Sequence, residues 1–232
     1  MLNVTILAAG RGTRLGMPDP KPLTHLTDGR TIMQQQMQNL NTAFGSDFRP
    51  VLVVGFRFYR VVESFPDTLF VYNEEFETTN TSKSLLRALR VHAPGGVLWM
   101  NGDVVFDPAL FELLRPYIES DTSVVSVNRS KVSDEEVKYT VDAEGFIKEL
   151  SKTVVGGLGE AVGINYVSST DRQLLLAELE TVDDQDYFER GIELAIGGGA
   201  RFMPVDIGQT MAVEVDFPED LERANDELRS RA

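Results

Sequence analysis

A glycine-rich segment near the start of the chain contains residues well suited to chemistry. Residues 7–16 read LAAGRGTRLG, and Lys21 follows shortly afterwards in the run KPL. Successive backbone N–H groups in such a loop can cradle phosphate oxygens. Arg11 and Lys21 add the fixed positive charge that a triphosphate requires. The segment therefore predicts a polyphosphate site, against the alternative of an ordinary surface turn with scattered basic residues.

Two common phosphate-binding motifs are excluded in this segment. A dinucleotide-binding GxGxxG motif needs a third glycine where Leu15 stands. A P-loop needs a Gly-Lys pair, and this region contains none. A phosphate site in this loop therefore belongs to neither of these two motifs.

Two acidic positions are suited to holding a metal ion. Asp103 follows the apolar run that ends at Met100, and Asp216 closes the sequence Glu-Val-Asp at residues 214–216. Where a reaction builds negative charge on phosphate oxygens, Mg²⁺ held by one or two carboxylates neutralises it. The alternatives are structural: Asp103 could start a turn before residues 106–108, and Asp216 could favour a helix N-terminus.

The elements that position these residues follow an alternating pattern. Short apolar runs, typical of strands covered on both faces, are separated by stretches with helical periodicity. The first half thus predicts an α/β fold of the Rossmann-like type with a mostly parallel sheet. The predicted strands are Val4–Ala8, Val51–Gly55, Leu69–Tyr72, Val97–Met100 and Thr122–Val127, and the predicted helices surround Met33–Phe44, Ser82–His92 and Pro108–Ile118.

The pattern changes after about residue 130. A hairpin, a further strand, two helices, two short strands and a closing helix are predicted; they span 137–151, 161–167, 170–180, 187–196, 201–205, 211–215 and 218–229. No repeat or long linker divides the chain. We therefore expect one domain over 1–232, with a nucleotide-binding half (1–130) and an acceptor-binding β+α half (131–232).

Composition restricts the classes of function. The 232 residues carry a formal net charge of −14, with no cysteine and two histidines. Thiol, iron–sulfur and cysteine–zinc chemistry are excluded, and the negative surface disfavours nucleic acid. No apolar run reaches the roughly 20 residues of a membrane span, and the first strand is too short for a signal sequence. We expect a cytoplasmic protein without membrane insertion, and a homo-oligomer remains open.

The glycine-rich segment resembles the signature of nucleotidyltransferases with the nucleotide-diphospho-sugar transferase fold. The shared pattern is an apolar strand, Ala-Ala-Gly, Gly-Thr-Arg-Leu and Lys-Pro-Leu. The resemblance implies base and ribose contacts by Ala8, Ala9 and Gly10, β- and γ-phosphate contacts by Arg11, Gly12 and Thr13, and α-phosphate and acceptor-phosphate contacts by Lys21. It also implies Mg²⁺ binding by Asp103 and Asp216, and leaves open the roles of Arg14 and Glu214.

Later segments resemble the subgroup of cytidylyltransferases that act on phosphocholine, inositol phosphate or aminoethylphosphonate. The matching runs are 72–86, 134–145, 159–163 and 186–189. This likeness implies nucleotide contacts by Asn80 and Ser84. It places Lys152, treated as catalytic, at the acceptor phosphate, and Glu160, Tyr187 and Glu189 around the organic part. A carboxylate beside an aromatic face suits a cationic head group, and hydroxyl groups equally.

The chain departs from the subgroup at two positions. Thr81 stands where a second asparagine is usual, which weakens the case for base recognition there. Phe217 replaces a small hydroxyl residue before the last helix, and we expect a weaker helix cap.

The expected reaction is Mg²⁺-dependent: an NTP and a phosphorylated small molecule give an NDP-linked product and pyrophosphate, and the resemblance favours CTP as the nucleotide. The first alternative is a sugar-1-phosphate nucleotidyltransferase that uses UTP, dTTP or GTP. Less favoured are a glycosyltransferase of related architecture, because Asp103 is not part of an Asp-x-Asp motif, and a nucleotide-binding regulator without catalysis.

Overall fold

The computed structural model describes residues 1–130 and 136–231. Their main feature is a nine-stranded sheet in which seven strands have the order β10-β6-β9-β4-β1-β2-β3, with β7 pairing β8 and β9. The strands are β1 Leu2–Ala8, β2 Phe48–Val54, β3 Leu69–Tyr72, β4 Val97–Asn101, β6 Val124–Asn128, β7 Lys138–Val141, β8 Ile147–Ser151, β9 Glu160–Val167 and β10 Met203–Asp206. A separate antiparallel pair contains β5 Val104–Phe106 and β11 Ala212–Glu214.

Helices cover both faces of the sheet, so its central strands are buried along most of their length. They are α1 Ile32–Phe44, α2 Phe58–Ser64, α3 Thr81–Val91, α4 Ala109–Glu119, α5 Arg172–Thr181, α6 Phe188–Gly197 and α7 Pro218–Ser230. The predicted α/β class and mostly parallel sheet are confirmed. Among the described residues, no helix is both long and apolar enough to cross a bilayer.

The sheet contains one strand of opposite direction at its centre. Strand β9 runs antiparallel to both β4 and β6, whereas β1 is parallel to β2 and β4. The chain therefore returns through the sheet after the β7–β8 hairpin. As a result, residues from the second half of the chain lie beside the carboxyl end of β4.

Helices α3 and α5 run antiparallel, and a buried cation caps the C-terminal end of each. The Lys83 ammonium donates to the carbonyl of Val182, at 2.6 Å, just after α5. The Arg172 guanidinium donates to the carbonyl of Ala93, at 2.6 Å, just after α3. Both side chains are buried. Each helix thus supplies a cation that bonds to carbonyl groups at the C-terminal end of the other helix, where no further helical amide can pair with them.

The sequence analysis missed two elements. Helix α2 begins after Arg57, which has a positive φ and makes no side-chain cap, so the sequence carries no usual signal for the start of this helix. Gly102 and Asp103 form the turn between β4 and β5, and β5 follows Asp103 directly where a turn leading to residues 106–108 was the alternative. The three residues of β5 are fully buried because β11 and α1 cover them, a partnership between distant segments that local sequence does not reveal. Of the subgroup-like run 134–145, Asp134 and Glu135 lie outside the described residues.

Candidate active site

The loop after β1 is shaped by glycines in left-handed conformation. Gly12 has φ +58° and Gly16 φ +70°, on either side of a short 3-10 helix, Thr13–Leu15. A Cβ atom at position 12 would lie 2.5 Å from Cγ of Lys21. Glycine is therefore needed at position 12 both for the backbone conformation and for the close passage of Lys21.

Lys21 joins the two acidic positions that the sequence singled out. Its Nζ atom lies 2.9 Å from Oδ2 of Asp103 and also donates to Oδ1 of Asp216. The Lys21 side chain is 11% exposed. Burial acts to lower the pKa of Lys21, but the two carboxylates outweigh it, so the pKa lies above its usual value. The ammonium is therefore charged at neutral pH.

The β5–β11 pair explains why Asp103 and Asp216 meet. Val104 pairs with Glu214 in the antiparallel ladder, and the Val215 amide donates to the Asp103 carbonyl at 2.9 Å. Both aspartates thus lie beyond the same end of this ladder: Asp103 is next to Val104, and Asp216 is two residues after Glu214. The short ladder brings together carboxylates that are far apart in the chain.

Arg14 approaches Asp216 from the solvent side. Its guanidinium lies 3.0 Å from Oδ2 of Asp216, and it stands 5.9 Å from the centre of the Phe217 ring. Phe217 provides no capping side chain for α7, as expected. Instead, the Asp220 carboxylate accepts hydrogen bonds from the backbone amides of Asp216 and Phe217, at 3.1 and 2.9 Å.

The two aspartates form a donor set that fits Mg²⁺. Their carboxylates converge on a single cation, the Lys21 ammonium. Magnesium is commonly held by one or two carboxylates together with substrate phosphates and water. Within 1–130 and 136–231, no group of three or more His, Asp or Glu residues is arranged to hold a metal.

Glu214 lies beside the two aspartates without joining their contact with Lys21. The Asn101 amide donates to Oε1 of Glu214 at 3.4 Å. Burial, with the charges of Asp103 and Asp216, raises the pKa of Glu214 well above its usual value. Sequence reasoning left its role open, although its place two residues before Asp216 was the available signal.

Four of the predicted nucleotide contacts line a small cavity of about 80 Å³: Ala9, Gly10, Asn80 and Ser84. It lies between the end of β1 and the start of α3, and its lining includes Leu7, Ala9, Gly10, Asn73, Phe76, Thr79, Asn80, Thr81 and Ser84. Asn80 caps α3, because its Oδ1 accepts from the Thr81 amide. Sequence reasoning gave no role to Asn73, whose side-chain amide donates to Ser84 Oγ at 3.1 Å.

Arg11 lies at the open rim of the same region. Its guanidinium is 3.4 Å from the Glu77 carboxylate and 5.8 Å from the centre of the Phe56 ring, and its side chain is half exposed. Ala8 is buried at the end of β1, whereas Thr13 is exposed in the 3-10 helix. The structure therefore places the predicted nucleotide residues around one loop and its neighbouring cavity.

Three of the predicted acceptor residues are neighbours. Lys152 Nζ stands 5.0 Å from the centre of the Tyr187 ring. Burial raises the pKa of Glu189 to about 7, although a backbone hydrogen bond and the charge of Lys152 act in the opposite direction. The fourth, Glu160, is buried at the start of β9, opposite Lys138 of β7.

The second histidine lies away from these groups. His92 Nε2 is 2.7 Å from Oγ1 of Thr5. Burial, followed by the charges of Arg172 and Arg49, lowers the pKa of His92 to about 4. His92 is therefore neutral at pH 7, and its contact with Thr5 is part of the protein interior.

Similarity to known proteins identifies the family of this chain. The chain belongs to the family of MobA-like NTP transferase domains, whose model matches residues 4–181. It is 29% identical over 247 residues to CMP-5'-(3-aminopropyl)phosphonate synthase of Streptomyces rubellomurinus, with 97% of this chain covered. The match covers 38% of that relative, so the chain spans well under half of the relative's length.

Solved structures support the same fold. The inositol-1-phosphate CTP transferase from T. maritima superposes with a TM-score of 0.79 at 20% identity, covering 100% of this chain and 96% of its own. The CTP:phosphocholine cytidylyltransferase from Streptococcus pneumoniae gives a TM-score of 0.74 at 14% identity, covering 98% and 99%. A UDP-glucose pyrophosphorylase gives 0.77 at 13% identity, covering 100% of both chains.

Proposed function

We propose that this chain transfers a cytidylyl group from CTP to a phosphate or phosphonate oxygen of a small acceptor and releases pyrophosphate. The observation that carries the proposal is the position of Lys21, which bonds Asp103 and Asp216 beside the Gly12 loop. The glycine-rich loop, a cationic side chain and two carboxylates thus meet at one point. The preference for CTP rests on the cytidylyl product or CTP substrate named for three of the similar proteins.

In this reaction the acceptor oxygen attacks the α-phosphorus of CTP. The bond from the α-phosphorus to the bridging oxygen breaks, and pyrophosphate leaves with that electron pair. An ionised acceptor needs no general base, because the second pKa of a phosphate monoester is about 6. This agrees with a site in which the buried histidine lies elsewhere.

The chain's own residues position and neutralise the reacting groups. The backbone from Ala8 to Gly10 would hold the nucleoside, with Asn80 and Ser84 at the base. Gly12, Thr13 and Arg11 would hold the β- and γ-phosphates. Lys21 would leave the carboxylates for the α-phosphate and the incoming oxygen, where a cation stabilises the charge of the transition state.

Asp103 and Asp216 would hold Mg²⁺ on the side of the α-phosphate. The ion would supply charge neutralisation to the phosphate oxygens. Lys152, Glu160, Tyr187 and Glu189 would bind the acceptor, so that most acceptor contacts come from the second half of the chain. The CMP-aminopropylphosphonate relative favours an aminoalkylphosphonate as the acceptor.

Pyrophosphate release with Mg²⁺ tests the proposal. We expect CTP to be used in preference to UTP, GTP, dTTP and ATP, with 3-aminopropylphosphonate, 2-aminoethylphosphonate, phosphocholine or inositol 1-phosphate as acceptor. Asp103→Asn should remove the signal. Asp107→Asn is the matched control, since Asp107 pairs with Arg231 outside the site. Activity confined to glucose 1-phosphate with UTP, dTTP or GTP would instead identify a sugar nucleotidyltransferase.

A further inference from the structure

The turn between α5 and α6, residues 182–187, is fastened to the segment that lines the small cavity at the start of α3. The backbone amide of Asn80 donates to the carbonyl of Asp184 at 2.7 Å, and the Asn80 side chain donates to the carbonyl of Gln185 at 3.2 Å. In return, Nε2 of Gln185 donates to the carbonyl of Thr78 at 2.6 Å. Three hydrogen bonds therefore join two segments that are remote in sequence.

Thr81 belongs to both sides of this contact. It lines the cavity, and its Oγ1 atom accepts a hydrogen bond from the Phe188 amide at 3.2 Å. Phe188 is the first residue of α6, so its amide has no partner within the helix. Tyr187, the residue before it, provides no capping side chain. A residue of α3 thus supplies the cap that the sequence around the start of α6 lacks.

This cap is formed in the protein interior. Phe188 is 1% exposed, and its ring packs edge-on against Trp99 with ring centres 5.7 Å apart. A buried amide that loses its hydrogen-bond partner is costly. Without the Thr81 hydroxyl, the first turn of α6 would therefore have to shift until the Phe188 amide found another partner.

Two of the proposed acceptor residues are the chain neighbours of Phe188. Tyr187 precedes it, and Nζ of Lys152 lies 5.0 Å from the centre of the Tyr187 ring. Glu189 follows it in the first turn of α6. Because both residues are bonded directly to Phe188, a shift of its backbone would move both side chains relative to Lys152.

We infer that Thr81 is a positioning residue for the acceptor: from the wall of the nucleotide cavity it holds the first turn of α6 in place. The inference rests on the proposed function and adds a residue to its acceptor side. Thr81 acts here through the Phe188 amide and contacts no reacting atom. This role differs from base recognition, the role that a position at the start of α3 suggests.

The test measures two Michaelis constants by pyrophosphate release, one for CTP and one for the acceptor. The acceptor is whichever of 3-aminopropylphosphonate and phosphocholine gives the higher rate with the unaltered chain. Thr81→Val removes the hydroxyl and keeps the shape of the side chain. We expect the KM for the acceptor to rise about fivefold or more and the KM for CTP to rise less than about twofold, because the lost hydrogen bond holds the acceptor side. Thr81→Ser keeps the hydroxyl and should keep both constants near those of the unaltered chain.

Thr78→Val is the matched control. The Thr78 hydroxyl is exposed and bonds to the Glu75 carbonyl within its own turn, so both constants should stay unchanged. A second variant, Gln185→Met, tests the α5–α6 turn from outside the cavity. Gln185 is exposed, so the fold should persist, and the loss of its bond to the Thr78 carbonyl should raise the KM for the acceptor alone.

Three results would overturn the inference. The first is an equal rise of both constants in a folded Thr81→Val chain, checked by circular dichroism, or a rise for CTP alone; Thr81 would then be a nucleotide contact, and the nucleotidyltransferase function would stand. The second is an unchanged acceptor KM in Gln185→Met, which decides the matter if Thr81→Val does not fold. The third is the absence of pyrophosphate release from the unaltered chain with CTP and every acceptor, which would overturn the proposed function as well.

Discussion

Lys21 Nζ lies 2.9 Å from Asp103 Oδ2, and this contact connects the segment after the glycine-rich loop to the carboxyl end of β4. Through Asp216 the same ammonium reaches the start of α7. Arg14 also pairs with Asp216, so two cationic side chains oppose the two carboxylates. A cation bound by the two carboxylates must compete with Lys21, and a bound nucleotide offers Lys21 a new partner.

Removing the Lys21 charge should make metal binding easier and catalysis slower. We expect Lys21→Met to bind Mn²⁺ about tenfold more tightly without nucleotide, because one like charge leaves the immediate surroundings of the ion. Its kcat should fall by about 100-fold or more, because a phosphate contact is lost. Electron paramagnetic resonance of free Mn²⁺ measures the first effect. Arg14→Met removes an exposed charge from Asp216 and should change Mn²⁺ binding less; an equal change would contradict a special position for Lys21.

Removing one carboxylate should separate metal binding from folding. Asp103→Asn keeps the shape of the side chain but leaves a single charged ligand. We expect kcat to fall by about 100-fold or more, with no retained Mn²⁺ binding at the site in the presence of CTP. Calorimetry with CTP and Mn²⁺ measures this, and circular dichroism checks the fold. Unchanged turnover would exclude Asp103 as a ligand.

Two glycine variants should distinguish backbone strain from collision with Lys21. Gly12→Ala and Gly16→Ala both place alanine at positive φ, which costs roughly 1–2 kcal/mol. Only at Gly12 would the new Cβ meet Lys21; at Gly16 the space is open. Gly12→Ala should therefore lose more stability in urea unfolding than Gly16→Ala, and far more activity. Equal activity in the two would argue against the need for close passage of Lys21.

Glu189 should make stability depend on pH. Its pKa is about 7 in the fold against 4.5 in the unfolded chain. Between these values the folded state holds more protons, so the free energy of unfolding falls as pH rises and the loss is complete above about pH 7. Glu189→Gln should abolish this loss, worth up to about 3 kcal/mol. Urea unfolding at pH 5 and pH 8 measures it.

The same experiment on Glu193→Gln provides the comparison. Glu193 is paired with Arg190, so its replacement should not stabilise the protein selectively at pH 8. If Glu189→Gln and the unaltered chain show the same pH dependence, Glu189 is not held in the environment described.

The sequence alone indicated the glycine-rich loop, the α/β class and two of the carboxylates near the loop. These features depend on neighbours along the chain. The αL glycines at 12 and 16 are needed by the turn itself, and apolar runs such as 51–54 form strands because both faces are covered. The N-cap at Asn80 is also a local hydrogen bond, to the next amide. Local interactions leave local patterns, and such patterns can be interpreted without coordinates.

Tertiary structure decided which distant residues meet. The β5–β11 pairing brings Asp103 to Asp216, and the reversed strand β9 places Asn165 and Gly163 next to β4. Neither pairing can be inferred from strand composition, because backbone hydrogen bonds between strands do not depend on side-chain identity. The raised pKa of Glu189 is also a tertiary effect. Burial causes it, and the segments that bury Glu189 come together only when the chain folds.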